Sequence, residues 1–84
     1  MESFDIAVAK QLKTMDELLF LQSEIERCQQ IEKELIQLKN DPQLQSIQQE
    51  IERMNTELKE IQHIFEQQTE EAIQSYHQLG FTSV

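Results

Sequence analysis

One proline interrupts a chain otherwise written largely in Leu, Ile, Glu, Gln and Lys. It is Pro42, in the stretch LKNDPQLQ at residues 38–45. Inside a helix a proline loses a backbone hydrogen bond and clashes with the preceding turn. Asp41 is a favoured N-cap residue, and Pro42 after it takes the first helical position, where a missing N–H costs nothing. Asn40 tolerates the left-handed conformation that ends a preceding helix. The proline also pushes Asp41 away from helical angles. Stop and start signals coincide. The pattern predicts two helices, about residues 4–39 and 42–79, with a turn at 40–41 and a short C-terminal tail. Gly80 is a natural helix stop, and Tyr76 and Phe81 have the spacing of the apolar contact that accompanies such a cap.

Both halves carry apolar stripes at helical spacing. In the second half Leu44, Ile47, Ile51, Met54, Leu58, Ile61 and Phe65 alternate steps of three and four, the heptad seam of a coiled coil. Gln68 and Ala72 continue it, and Ile73 and Tyr76 then point to a drift of one residue. In the first half the stripe runs Phe4, Val8, Leu12, Met15, Leu18, Leu21, Ile25, Cys28, Ile31, Leu35 and Leu38. Its phase changes near Met15 and Ile31, as stammers do in overwound coiled coils. The segment TMDE, Thr14 to Glu17, has the spacing of a capping box and offers an alternative break; the continuous stripe favours one helix.

A two-residue turn favours antiparallel neighbours. Folding back near residue 41 pairs the stripes at residue numbers summing to 82–84: Leu38 with Leu44, Cys28 with Met54, Leu21 with Ile61, Val8 with Tyr76, Phe4 with Leu79. The same register puts Lys10 and Lys13 near Glu70 and Glu71. The expected fold is all-α, an antiparallel two-helix coiled-coil hairpin. It forms a single domain over residues 1–84, able to pair with a second copy into a four-helix bundle.

Charge narrows the function. Seven basic residues against 16 acidic ones leave a net charge of −9. Nucleic acid and anionic lipid attract basic surfaces, so neither a nucleic acid nor a membrane is an expected partner. No apolar run is longer than the four residues of LLFL, residues 18–21, far short of the roughly 20 residues of a spanning helix. The start, MESFDIAVAKQLK, lacks the basic-then-apolar pattern of a signal peptide. Cys28 is a lone cysteine with no internal disulfide partner, which suits a reducing cytoplasm. Fourteen glutamines, interleaved with charges, read as solvated helix faces.

No motif carries catalytic chemistry. One glycine cannot build a phosphate loop, and CxxC, HExxH and GxSxG are all missing. EIQH, residues 60–63, has the Glu-x-x-His spacing of di-iron bundles. Glu60 and His63 fall on the outer face, however, without the further inward carboxylates such a centre needs. The expectation is no enzyme, no metal and no cofactor, with Cys28 as a small buried hydrophobe. What stands out is a level in the hairpin where LLFL lies beside IQHIF, residues 61–65. Leu18, Leu21, Ile61 and Phe65 fill the seam there. Leu19, Phe20 and Ile64 are left over, a candidate interaction surface on both arms. The expected function is a cytoplasmic protein–protein interaction module, an adaptor or regulator. The alternative is a self-associating structural coiled coil, a homodimer without a foreign partner.

The segment KQLKTMDELLFLQSEIERCQQIEKEL, residues 10–35, resembles the small YgaB-like helical proteins of bacilli. The resemblance implies a helical fold over most of the chain and carries no catalytic residues to transfer. Two other helical hairpins fit less well. The small sporulation phosphatases carry a Ser-Gln-Glu-Leu-Asp motif that MDELL and LQSEIE do not reproduce. Prefoldin-type chaperones join their helices through β-hairpins, for which KNDP leaves no room.

Overall fold

The computed structural model describes residues 2–82, with side chains through Gln78. Two helices, α1 (Glu2–Leu38) and α2 (Asp41–Thr82), fold into an antiparallel hairpin. It measures 66 Å by 15 Å by 14 Å.

The chain turns where the proline predicts, one residue out of step with the predicted caps. Lys39, not Asn40, takes the left-handed conformation, with φ 55°. The Asn40 N–H donates to Leu35 O at 3.1 Å and the Lys39 N–H to Ile36 O at 3.2 Å. These are the paired bonds of a Schellman motif. Asn40 is also the N-cap of α2 in place of Asp41. Its carbonyl accepts from the Leu44 N–H at 2.9 Å and its Oδ1 from the Gln43 N–H at 3.4 Å. Its Nδ2 donates to Gln43 Oε1 at 3.0 Å. With Asn40 capping α2, the left-handed position falls to the residue before it. Pro42 stays within the first turn, where its missing N–H breaks no helical bond.

α1 is unbroken at Thr14, whose hydroxyl donates to Lys10 O at 3.1 Å instead of capping a new helix. α2 continues past the predicted end at 79, through Gly80 to Thr82. Among the described residues no glycine has a positive φ, so the left-handed glycine cap does not form. The predicted Tyr76–Phe81 contact and the Phe4–Leu79 pair involve side chains outside the described ones.

The core cluster is Leu21, Ile25, Cys28 and Met54, with Ile47, Ile51, Leu58 and Ile61 packed against it. Cys28 and Met54 share it as the register predicts, as do Leu21 and Ile61. Toward the open end the seam departs from the largest apolar residues. Ala7 and Thr14 are buried, while Leu12 and Met15 are 59% and 41% exposed. The line through Phe4, Ala7, Gln11, Thr14, Leu18, Leu21, Ile25 and Cys28 steps by 3, 4, 3, 4, 3, 4, 3, a strict heptad with no stammer. On α2 the seam likewise runs Phe65, Gln68, Ala72, Ser75, and Ile73 and Tyr76 lie outside it, exposed. A rigid pair of helices keeps its phase, and small or polar residues occupy the seam where the phase demands. At the turn end Leu38, predicted to pair with Leu44, is 73% exposed, because the heptad through Ile25 and Cys28 continues to Leu35 and leaves Leu38 outside the seam.

Candidate functional site

A two-helix seam leaves two edges, and heptad position assigns residues to them. With Leu18 and Leu21 as a and d on α1, and Leu58 and Ile61 on α2, antiparallel pairing brings e positions together on one edge and g positions on the other. The grooves follow this division. Val8, Thr69 and Tyr76, all at e, line one groove with Phe4 and Ile73. Lys10 and Glu71, both at g, line another on the opposite edge.

The g edge is acidic. Its positions hold Glu17 and Glu24 on α1 and Glu50, Glu57 and Glu71 on α2, against one lysine, Lys10. The e edge carries no charge. On α1 its positions are Val8, Met15, Gln22, Gln29 and Ile36, and on α2 Gln48, Asn55, Gln62, Thr69 and Tyr76.

The three predicted surface residues do not form one patch. Leu19 is 58% exposed, Phe20 69% and Ile64 46%. Phe20 at c and Ile64 at g belong to the acidic side, whereas Leu19 at b borders the uncharged edge. Consecutive residues on a helix point about 100° apart, so Leu19 and Phe20 cannot share a face. Phe20 lines a groove of about 440 Å³ with Leu21 and Ile61 beside it and Asp16, Glu17 and Glu57 around them. Glu57 accepts from Arg53 Nη1 at 2.9 Å. Asp16 and Glu17 make no ion pair among the described residues.

The arginines reach toward the g edge from their own helices. Arg27 pairs with Glu24 at 2.8 Å, and Arg53 bonds both Glu50 and Glu57. The Arg53 hydrogen bond holds the Glu50 carboxyl below its usual range, and the arginines are raised by the same contacts. Lys10 and Glu71 line one groove as the register predicts, yet every ion pair among the described residues runs along a single helix.

Polar pairing crosses the seam at the open end, where the sequence predicts apolar stripe pairs and Lys–Glu neighbours but no uncharged polar pairs. Gln11 Nε2 donates to Thr69 Oγ1 at 2.8 Å, and Thr69 Oγ1 in turn donates to Phe65 O at 2.9 Å. Ser3 Oγ donates to Ser75 Oγ at 3.2 Å, and the Phe4 and Tyr76 rings lie 5.9 Å apart. Counting heptad steps back from Leu21 would have found Thr14, Gln11 and Ala7. Glu60 and His63 are exposed, and His63 Nε2 lies 3.4 Å from Gln67 Nε2. Among the described residues no group of three or more His, Cys, Asp or Glu could hold a metal ion, and no helix is long and apolar enough to cross a membrane.

The model of a family described as YgaB-like protein matches residues 3–79, which take in both helices and the turn. A relative from Bacillus subtilis (strain 168), the uncharacterized protein YgaB, is 50% identical over 76 residues, covering 90% of this chain and 67% of the relative. No solved structure matches.

Proposed function

Because the chain belongs to the YgaB-like family, whose description specifies no activity, we propose a function from the geometry: an acidic docking module that binds another protein along its g edge, around Phe20. Phe20 carries this reading. Its ring is 69% exposed beside Leu21 and Ile61, in a groove flanked by carboxylates. Aromatic rings contribute strongly to association when a partner covers them. The chemistry of the groove selects an amphipathic segment, with one apolar side chain for Phe20 and lysines or arginines for Asp16 and Glu17. Ile64 extends this edge, and Leu19 is left to the other. Such a module acts by bringing proteins together, as an adaptor or regulator, and we assign it no catalysis and no cofactor. A buried, unpaired Cys28 suits work in a reducing cytoplasm.

Affinity capture from a cell extract with wild type, Phe20→Ser and Asp16→Asn/Glu17→Gln tests the reading. Wild type is expected to retain a foreign protein in near-stoichiometric amount. Both variants should lose it while keeping wild-type helicity by circular dichroism. Raising salt should weaken capture, because exposed charges are screened. Equal capture by all three proteins, or no foreign protein at all, contradicts the proposal.

A further inference from the structure

We infer that the uncharged e edge is where a second copy of this chain docks, side by side and in the same direction, making a four-helix bundle. This edge is separate from the Phe20 groove, and the inference does not rest on the docking of a foreign protein.

Charge is the first argument. With 27% of the residues charged, ten positions would be expected to carry about three charges, and the e edge carries none. Two chains of net charge −9 repel each other over most approaches. The e positions themselves bring no like charges face to face, and the b positions that flank them mix Asp5, Glu26, Glu52 and Glu66 with Lys33 and Lys59. Five of its ten positions are Gln or Asn, whose amides offer both a donor and an acceptor and therefore pair with their own kind.

Area is the second. A face 66 Å by 15 Å offers about 1,000 Å², against about 800 Å² per partner in a stable complex. The hairpin alone also lacks a closed core: among the described residues no large side chain is fully buried. Chains this short commonly supplement a thin core by oligomerisation.

Direction follows from where the apolar residues lie. Leu12, Met15, Leu19, Ile73 and Tyr76, exposed on or beside the e edge, belong to the open half, and Ile36 is the large exposed apolar residue at e near the turn. A two-fold axis along the hairpin sets this half against its own copy and covers apolar surface with apolar surface. The opposite direction would set most of it against Gln29 and Gln48, with Ile36 as its apolar counterpart.

Sedimentation equilibrium on wild type, Gln22→Glu/Gln62→Glu and Gln30→Glu/Gln49→Glu decides the matter. The first variant charges the e edge and the second adds the same charge at f positions on the outer face. Wild type and the f variant are expected at twice the 10.0 kDa chain mass, and the e variant at the chain mass with unchanged helicity. Monomeric wild type at ~100 μM, or equal masses for the two variants, overturns the inference. Direction is read from one spin label on His77→Cys in a Cys28→Ala background. Same-direction docking puts the two labels within about two helix diameters, roughly 25 Å. A separation near the 66 Å length of the hairpin overturns that part of the inference.

Discussion

Lys39 sits at φ 55°, where a Cβ crowds the following carbonyl at a cost of about 1–2 kcal/mol. Glycine avoids that cost and returns part of it as extra freedom in the unfolded chain. Lys39→Gly is expected to stabilise the hairpin by about 0.5–1 kcal/mol in urea unfolding; a loss would mean that the lysine side chain supports the turn. Gln68 presents the opposite case, a seam residue whose buried Oε1 has no hydrogen-bond partner among the described residues. An unsatisfied buried acceptor costs about 1–3 kcal/mol, so Gln68→Leu should raise the urea midpoint by the equivalent of about 1 kcal/mol or more. Glu50 gives a pH signature. Its folded pKa is lowered by the Arg53 hydrogen bond, so its contribution is present above the unfolded pKa and is lost as pH falls through the folded one. Both groups are exposed, and the effect is small and salt-sensitive. Glu50→Gln should unfold slightly earlier than wild type at neutral pH. The gap should close as pH falls below the ordinary glutamate range, about 4; a gap that persists would assign Glu50 another role.

The two ends of the helix pair differ in what fills the seam. Leu21, Ile25, Cys28 and Met54 make the middle and turn-side core, while Ala7, Gln11, Thr14, Gln68, Ala72 and Ser75 line the open half. Small and polar seam residues bury less apolar surface, so the open half should open locally at lower free energy. Amide exchange is expected to be slowest around residues 21–31 and 47–61 and faster in residues 4–14 and 68–76; uniform protection would contradict this. Leu21→Ser should destabilise by several kcal/mol, through lost packing and a buried hydroxyl. Phe20→Ser, next to it on an exposed face, should leave helicity intact. The break at Pro42 and the register were legible in the sequence because cap chemistry and heptad spacing are local and periodic. The open-end seam was misread because Val8, Leu12 and Met15 are larger than Ala7, Gln11 and Thr14. Heptad phase, fixed by the packed middle, outweighs the hydrophobicity of individual residues there.

For the whole molecule, the register decides what each edge is. It brings five glutamates to the g edge and no charge to the e edge, and it separates Leu19 from Phe20 and Ile64. Phe20 was recognisable from the sequence as a surface residue because its c position follows from the seam. That it flanks a groove with carboxylates on both helices was not, since that needs the two helices set against each other. Both the Phe20 groove and the uncharged edge depend on the antiparallel hairpin, so the separation of its arms is the most direct test. Spin labels on Glu17→Cys/Glu66→Cys in a Cys28→Ala background, diluted with unlabelled protein, report the distance within one chain. Packed antiparallel helices lie about 8–10 Å apart, so with label arms the distance should fall within roughly 25 Å. A distance near 70 Å, the rise of 49 residues in one continuous helix at ~1.5 Å each, would contradict the hairpin and both edges with it.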